Sequence, residues 1–289
     1  MAGIERLRDL KRKGQRIVMV TAYDYPSARV VETAGVDIVL VGDSAATTVL
    51  GYGTTREVSL EEMLMLARAV RRGLTSTPLI GDLPFGTYEQ SDEQALATAR
   101  AFMDAGCDGV KLEGAGERLD RVRALTAAGI PVMGHVGLEP QQVATPDGFR
   151  VRGRAAEAAL RIVRDAEDLE SAGCFALVLE AVPTVVADLL TARVSFPVIG
   201  IGASVNADGQ VLVYHDLLGL IEGKRPKFVK EYVALAGPMV AAIRRFAQDV
   251  RRGAFPAPEH GYGMPKEEEE RLKSRLAETE RASGPDTTA

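Results

Sequence analysis

The sequence predicts an α/β protein, and within that class a (β/α)8 TIM barrel of parallel strands. Two observations carry the expectation. Short apolar runs rich in β-branched residues alternate regularly with amphipathic helical runs, which implies a parallel sheet with right-handed crossovers. In addition, four stretches follow one plan: a helix stops at Ala-Gly, a strand follows, and a polar functional group closes it. They run from Ala34-Gly35 to Asp43, Ala105-Gly106 to Glu113, Ala128-Gly129 to His135 and Ala172-Gly173 to Glu180. Glycine supplies the left-handed stop after a helix. The repeated ending mounts functional groups on one edge of the sheet, where barrels and open α/β sheets carry their chemistry. An open doubly wound sheet is the alternative. No GxGxxG follows the first strand, and the Gly-rich run at Gly200–Ser204 has the wrong spacing and comes too late in the chain.

The elements follow in order. Residues 3–13 read as an amphipathic helix with Ile4, Leu7 and Leu10 on one side, placed to cap the bottom of a barrel. Strands are expected at 16–22, 37–42, 77–82, 108–112, 131–135, 175–179 and 197–201. Helices are expected at 26–34, 59–72, 92–105, 116–128, 154–172 and 184–192. Ser59 followed by Glu62 has the spacing of a capping box. The loop 137–152 contains Pro140, Pro146 and Gly148, and a long loop inside a compact domain is often functional. Residues 210–220 are apolar and fit a strand or a helix. A last helix is expected over 228–252. The barrel should therefore span 1–264 as a single catalytic domain. Residues 265–289 form a charged tail, helical or disordered, that reads as a solvated surface.

Composition narrows the class of function. The 289 residues suffice for one large barrel, with 46% hydrophobic and 26% charged residues as in a globular enzyme. A net charge of −5 argues against nucleic acid as the main partner, and 5% aromatics without Trp offer little stacking surface. Cys107 and Cys174 both lie at strand starts without any CxxC, as expected of small buried residues in a reducing cytosol. The first residues lack the apolar core of a secretory signal, and no run approaches the ~20 apolar residues of a membrane span. The expected setting is cytoplasmic, with small-molecule substrates and no membrane.

Asp43, Asp82 and Glu113 each follow a strand, so consecutive strands would bring them to one rim. Three hard oxygen donors suit Mg²⁺, which takes one or two protein carboxylates and keeps some waters. Asp43 and Asp82 are expected as direct ligands, and Glu113 as direct or through water. Any one of them alone would more simply be a helix N-cap. Lys111 lies two residues before Glu113 and shares its face. It fits a buried ion pair with Glu113, a clamp for an anionic substrate, or a Schiff-base amine. His135 sits between Gly134 and Val136-Gly137, where a ligand can approach closely. Glu180 ends a strand further round the rim, as a separate base for proton abstraction beside a metal-held carbonyl, or as an N-cap or ion-pair partner. His215 and His260 read as surface or interface residues. HExxH, P-loop, GxSxG and EF-hand motifs are absent from the sequence.

Together the motifs Thr21-Ala-Tyr-Asp-Tyr25, Val41-Gly-Asp-Ser44, Asp82-Leu-Pro-Phe85, Val110-Lys-Leu-Glu-Gly114 and Gly134-His-Val-Gly-Leu138 resemble the ketopantoate hydroxymethyltransferase family. So do Leu179-Glu-Ala-Val-Pro183, the stretch from Pro197 to Ala203 and Asp208-Gly-Gln-Val-Leu-Val213. The match runs in order over 3–262. The resemblance implies a barrel of the phosphoenolpyruvate/pyruvate-utilising type and a Mg²⁺-dependent reaction. In it, a one-carbon unit passes from 5,10-methylenetetrahydrofolate to 3-methyl-2-oxobutanoate, giving 2-dehydropantoate on the route to pantothenate. It also implies a homo-oligomer, often a decamer. By position, Asp43 and Asp82 resemble the metal ligands with Glu113 close by. Ser44 and Lys111 resemble the contacts to the keto acid, with His135 as a further polar contact, and Glu180 resembles the proton acceptor. Ser204 departs from the family's usual Gly, which puts the loop on the folate side in question. The competing readings are a Mg²⁺-dependent C–C lyase or mutase acting on a small 2-oxo acid, and a catalytically idle barrel used for binding.

Overall fold

A computed structural model describes residues 2–143, 150–221 and 226–282. Eight strands close into a barrel in chain order, every neighbouring pair parallel, with the last strand joined to the first. They are β1 (Ile17–Thr21), β2 (Ile38–Val41), β3 (Leu79–Asp82), β4 (Gly109–Lys111), β5 (Val132–Gly137), β6 (Ala176–Glu180), β7 (Val198–Ile201) and β8 (Gly209–Leu212). The helices are α1 (Ala2–Arg12), α2 (Tyr25–Thr33), α3 (Ala45–Thr48), α4 (Leu60–Gly73), α5 (Asp92–Asp104), α6 (Leu119–Ala127), α7 (Ala156–Ser171), α8 (Thr184–Arg193), α9 (Tyr214–Leu217), α10 (Ala236–Arg251) and α11 (Lys266–Ala282). The closed ring excludes the open-sheet alternative.

The punctuation read from the sequence is the punctuation of the fold. The glycines at 35, 106, 129 and 173 all have φ between +76° and +95°, the left-handed stop that lets each helix turn into the next strand. At α4, the Ser59 hydroxyl accepts the Glu62 N–H while the Glu62 carboxylate accepts the Ser59 N–H at 2.8 Å.

Two apolar layers hold the barrel. The larger lies between the outer faces of the strands and the surrounding helices. The smaller fills the barrel interior, where Ile17, Met19, Ile38, Ile80 and Met133 point inward. Ile4, Leu7 and Leu10 of α1 belong to this inner layer, so the first helix closes the N-terminal end of the ring as expected.

The ambiguous run 210–220 resolves into both readings: β8 ends at Leu212 and α9 begins at Tyr214. The short α3 directly after Asp43-Ser44 was not expected, because four residues are too few to show a helical period. The helix expected over 228–252 begins at Ala236, eight residues later than the apolar pattern suggests. Pro238 explains the delay, since proline is tolerated only in the first turn, where its missing N–H has no helical partner anyway.

The chain divides into two compact units, Met1–Ala234 and Leu235–Ala289. The first holds all eight strands. The second holds α10 and α11, so the expected limit at 264 falls inside it. Part of the 137–152 loop (144–149) and the tail end 283–289 lie outside the described residues. Among the described residues no helix is long and apolar enough to cross a membrane.

Candidate active site

A cavity of ≈ 500 Å³ opens at the C-terminal ends of the strands, and Asp43, Ser44, Asp82, Lys111, Glu113, His135 and Glu180 all line it. Asp82 and Lys111 are the last residues of β3 and β4 and stand opposite each other in the register. Asp43 and Ser44 follow β2, Glu113 follows β4, His135 lies within β5, and Glu180 ends β6. In a ring of eight, β6 is diametrically opposite β2.

The Lys111 ammonium contacts both oxygens of Asp82, at 2.7 and 2.8 Å, whereas Glu113 Oε1 is 3.9 Å away. The buried ion pair, one of the three readings of Lys111, is therefore mainly with Asp82 rather than Glu113. Residues opposite each other on adjacent strands share a face at short range, while Glu113 has already left the strand. Burial opposes the charge on Lys111, but Asp82, Glu113 and Asp43 outweigh it and raise its pKa. A Schiff-base amine needs the opposite shift, so the pairing with Asp82 favours the anion-clamp reading.

Burial, followed by repulsion from Asp82 and Glu113, raises the Asp43 pKa well above the usual carboxylate range. Burial likewise raises Asp82, against the pull of Lys111. For Glu113 burial is outweighed by His135, Lys111 and the Gln141 N–H, and its pKa falls. The His135 ring bridges two acids, with Nδ1 3.4 Å from Glu113 Oε1 and Nε2 3.4 Å from Glu180 Oε2. Burial and Lys111 act against an imidazolium, yet these two carboxylates prevail and lift its pKa to about 9. Neither contact has hydrogen-bond geometry, and Glu113 Oε1 has no hydrogen-bond partner.

Three buried carboxylates thus face one ammonium. Among the described residues no three His, Cys, Asp or Glu side chains are gathered closely enough to enclose a metal by themselves. The donor set nevertheless fits Mg²⁺, which takes one or two protein carboxylates and completes its octahedron with water or substrate oxygens. The repulsion among these buried acids, which raises the pKa of Asp43, and a Glu113 oxygen without a hydrogen bond fit such a cation.

The backbone is strained beside Glu180. Ala181 has φ +48°, a conformation uncommon for a residue with a side chain. Gly137 stands opposite Glu180 in the register with φ +103°, and a Cβ there would lie 2.2 Å from the Glu180 carbonyl oxygen. Glycine alone lets β5 and β6 approach this closely.

Several residues went unrecognised in the sequence. The Tyr23 hydroxyl lies 2.8 Å from Ser44 Oγ, and burial pushes its pKa up to about 12, so it remains a phenol. Tyr88 and Gln141 are fully buried behind Asp43 and Glu113. The loop signal at 137–152 was the available pointer to Gln141. His215 is half-buried rather than on the surface, packed on Tyr23 at 5.4 Å and Tyr214 at 5.7 Å, while His260 is exposed. Ser204 does not line the cavity; its hydroxyl donates to Asp188 of α8 and accepts the Asn206 N–H, tying the β7–β8 connection to that helix. Cys107 and Cys174 are free and buried, and burial raises both thiols to about 12.

A closed parallel barrel with acids, a lysine and a histidine gathered around one cavity at its C-terminal rim defines a (β/α)8-barrel enzyme. Solved structures agree on the fold. Phosphonopyruvate hydrolase superposes with a TM-score of 0.61 at 16% identity, covering 98% of this chain and 99% of that one. 2,3-Dimethylmalate lyase, a PEP mutase/isocitrate lyase superfamily member, gives a TM-score of 0.55 at 18% identity over 97% and 99% of the two chains. The sequence profile of ketopantoate hydroxymethyltransferase matches residues 2–258. The 3-methyl-2-oxobutanoate hydroxymethyltransferase of Oleidesulfovibrio alaskensis is 50% identical over 264 residues, 91% of each chain. That of Nitratidesulfovibrio vulgaris (strain DP4) is 55% identical over 256 residues, 88% of this chain and 83% of that protein. The chain belongs to the ketopantoate hydroxymethyltransferase family.

Proposed function

We propose that the protein transfers a hydroxymethyl group from 5,10-methylenetetrahydrofolate to 3-methyl-2-oxobutanoate, giving 2-dehydropantoate and tetrahydrofolate. The observation that carries this reading is the division of labour around the cavity. A cation-seeking cluster of Asp43, Asp82 and Glu113 lies on one side of the ring, and Glu180 stands apart from it on β6. Enolate chemistry needs that separation of electrophilic and basic groups.

Asp43 and Asp82 would hold Mg²⁺, with Glu113 direct or through water. When bound, the ion supplies Lewis acidity toward the keto acid's oxygens. Ser44 Oγ is placed to donate to the substrate, since Tyr23 can supply the proton that the serine oxygen accepts. Lys111 keeps its charge in the cavity and presents a fixed cation to negative charge developing on the keto oxygen. His135 Nε2 lies 3.4 Å from Glu180 Oε2, so the ring stands beside the carboxylate that would accept the proton.

Glu180 then removes the C3 proton, and the C–H electron pair becomes the C2–C3 double bond of the enolate. C3 forms the new C–C bond to the folate's one-carbon unit. One water enters the balance: its oxygen becomes the product hydroxyl, and both carbon–nitrogen bonds of the methylene bridge are released as N–H. The two buried free cysteines fit the expected reducing cytoplasm.

Proton NMR of 3-methyl-2-oxobutanoate in deuterated water with Mg²⁺ tests the assignment. Glu180→Gln should abolish C3 proton exchange while keto-acid binding persists; wild-type exchange in that variant refutes the base. Product formation should require the folate, whereas a lyase or mutase would turn over a single substrate.

A further inference from the structure

Gln141 is a polar residue with no exposed surface, and every hydrogen-bonding group of its side chain is engaged. Its Nε2 donates to Asp43 Oδ2 at 3.1 Å and to the Leu83 carbonyl at 3.0 Å. Its Oε1 accepts the Tyr88 hydroxyl at 2.8 Å. Its main-chain N–H donates to Glu113 Oε2 at 2.9 Å. The Tyr88 oxygen in turn accepts the main-chain N–H of Glu113 at 3.4 Å. These bonds close a circuit that runs from Glu113 through Tyr88 to the Gln141 amide, and from Gln141 to the carboxylates of both Asp43 and Glu113.

The circuit has a direction. A phenol carries one proton, and here its oxygen already accepts an N–H, so the proton goes to Gln141 Oε1. The two ends of a side-chain amide have nearly the same shape, and only their partners decide which end points where. The Tyr88 proton on one side and the Leu83 carbonyl on the other both turn the nitrogen toward Asp43. Burial raises the Tyr88 pKa, so this proton stays in place.

We propose that Tyr88 and Gln141 are positioning residues for the divalent cation: Gln141 holds one oxygen of Asp43 and one of Glu113, leaving the other oxygen of each for the ion, and Tyr88 acts through Gln141 by fixing its amide. The inference rests on the reading of Asp43 and Asp82 as metal ligands. It assigns work to two residues that do not line the cavity.

The test is a titration of the full-length protein with Mn²⁺, followed by electron paramagnetic resonance without substrate. Gln141→Met keeps length and the main-chain donor but removes the amide; it should weaken Mn²⁺ about tenfold, the scale on which groups that orient metal ligands act. Tyr88→Phe removes one oxygen and should weaken it by about a third as much, since the Leu83 carbonyl still orients the amide. The double variant should bind about as weakly as Gln141→Met alone, because Tyr88 meets a ligating side chain only through Gln141 and its other bond is to the main-chain N–H of Glu113. A role in packing alone would lower the melting temperature and leave the Mn²⁺ affinity in place.

Affinities within twofold of wild type in both single variants, or losses that multiply in the double variant, overturn the proposal. If Gln141→Met does not fold, unchanged affinity in Tyr88→Phe overturns it. Asp82→Ala separates the two readings. Affinity lost there but kept in Tyr88→Phe and Gln141→Met defeats the positioning role alone. A wild-type protein that binds no Mn²⁺ defeats both.

Discussion

Lys111 keeps a full charge inside the barrel because Asp82 offers it two oxygens at 2.7 and 2.8 Å. Removing one partner of a buried pair leaves the other uncompensated, which costs far more than the pair itself contributes. Lys111→Met should therefore destabilise the metal-free protein by about 3 kcal/mol. The surviving carboxylates would then attract a cation more strongly. Mg²⁺ should raise the melting temperature of Lys111→Met by more than it raises that of wild type, and equal shifts in the two proteins would show that lysine and metal do not share these acids. The strained Ala181 and the close approach at Gly137 fix the main chain beside Glu180, so that residue is held from behind by its own strand and by β5.

At the scale of elements, the helices are tied to the strands by acids at their ends. Glu32, in the last turn of α2, accepts the N–H groups of Thr75, Ser76 and Thr77 at 2.7, 2.8 and 3.2 Å, gripping the segment that leads into β3. Glu170 of α7 accepts those of Ser195 and Phe196 ahead of β7. Both stand two residues before an Ala-Gly stop, so one device recurs in two halves of the barrel. Burial opposes the Glu32 carboxylate, but the three N–H donors outweigh it and bring its pKa down from 4.5 to about 2. A folded pKa below the unfolded one stabilises above the unfolded value and is lost as pH falls through the folded value. Glu32→Gln should accordingly lower the urea midpoint at pH 7, and the gap to wild type should close between about pH 4.5 and 2. A gap that stays constant over that window would contradict the assignment.

At the scale of the whole molecule, α10 carries Met239, Val240, Ile243, Phe246 and Val250 at helical spacing, all exposed. We propose that this apolar stripe is an association surface. It supports the homo-oligomer that the family resemblance implies. Ile243→Asp with Phe246→Asp should reduce the molar mass measured by light scattering, and an unchanged mass would place the interface elsewhere. The charged α11 shows no such stripe: apart from Leu272 and Leu276, its large side chains are charged.

The order and punctuation of the barrel were legible in the sequence because they are local. An Ala-Gly stop, a capping box or a period of two or 3.6 acts over a few residues, and none depends on the rest of the chain. The site was legible for a related reason. Asp43, Asp82, Glu113, His135 and Glu180 each lie at or just beyond the carboxyl end of a strand, and parallel strands in chain order bring such ends to one rim. The start of α10 and the short α3 were misread or missed because apolar periodicity says little about where a helix begins or about a single turn.

The sequence by itself thus placed Asp43, Asp82, Glu113, His135 and Glu180 at one rim. Only the tertiary structure decided their partners. Lys111 binds Asp82 across two strands rather than Glu113 two residues away, and Gln141 reaches Asp43 across 98 positions of chain. Those choices depend on register, on ring closure and on the need to satisfy every buried polar group, and these are properties of the folded molecule as a whole.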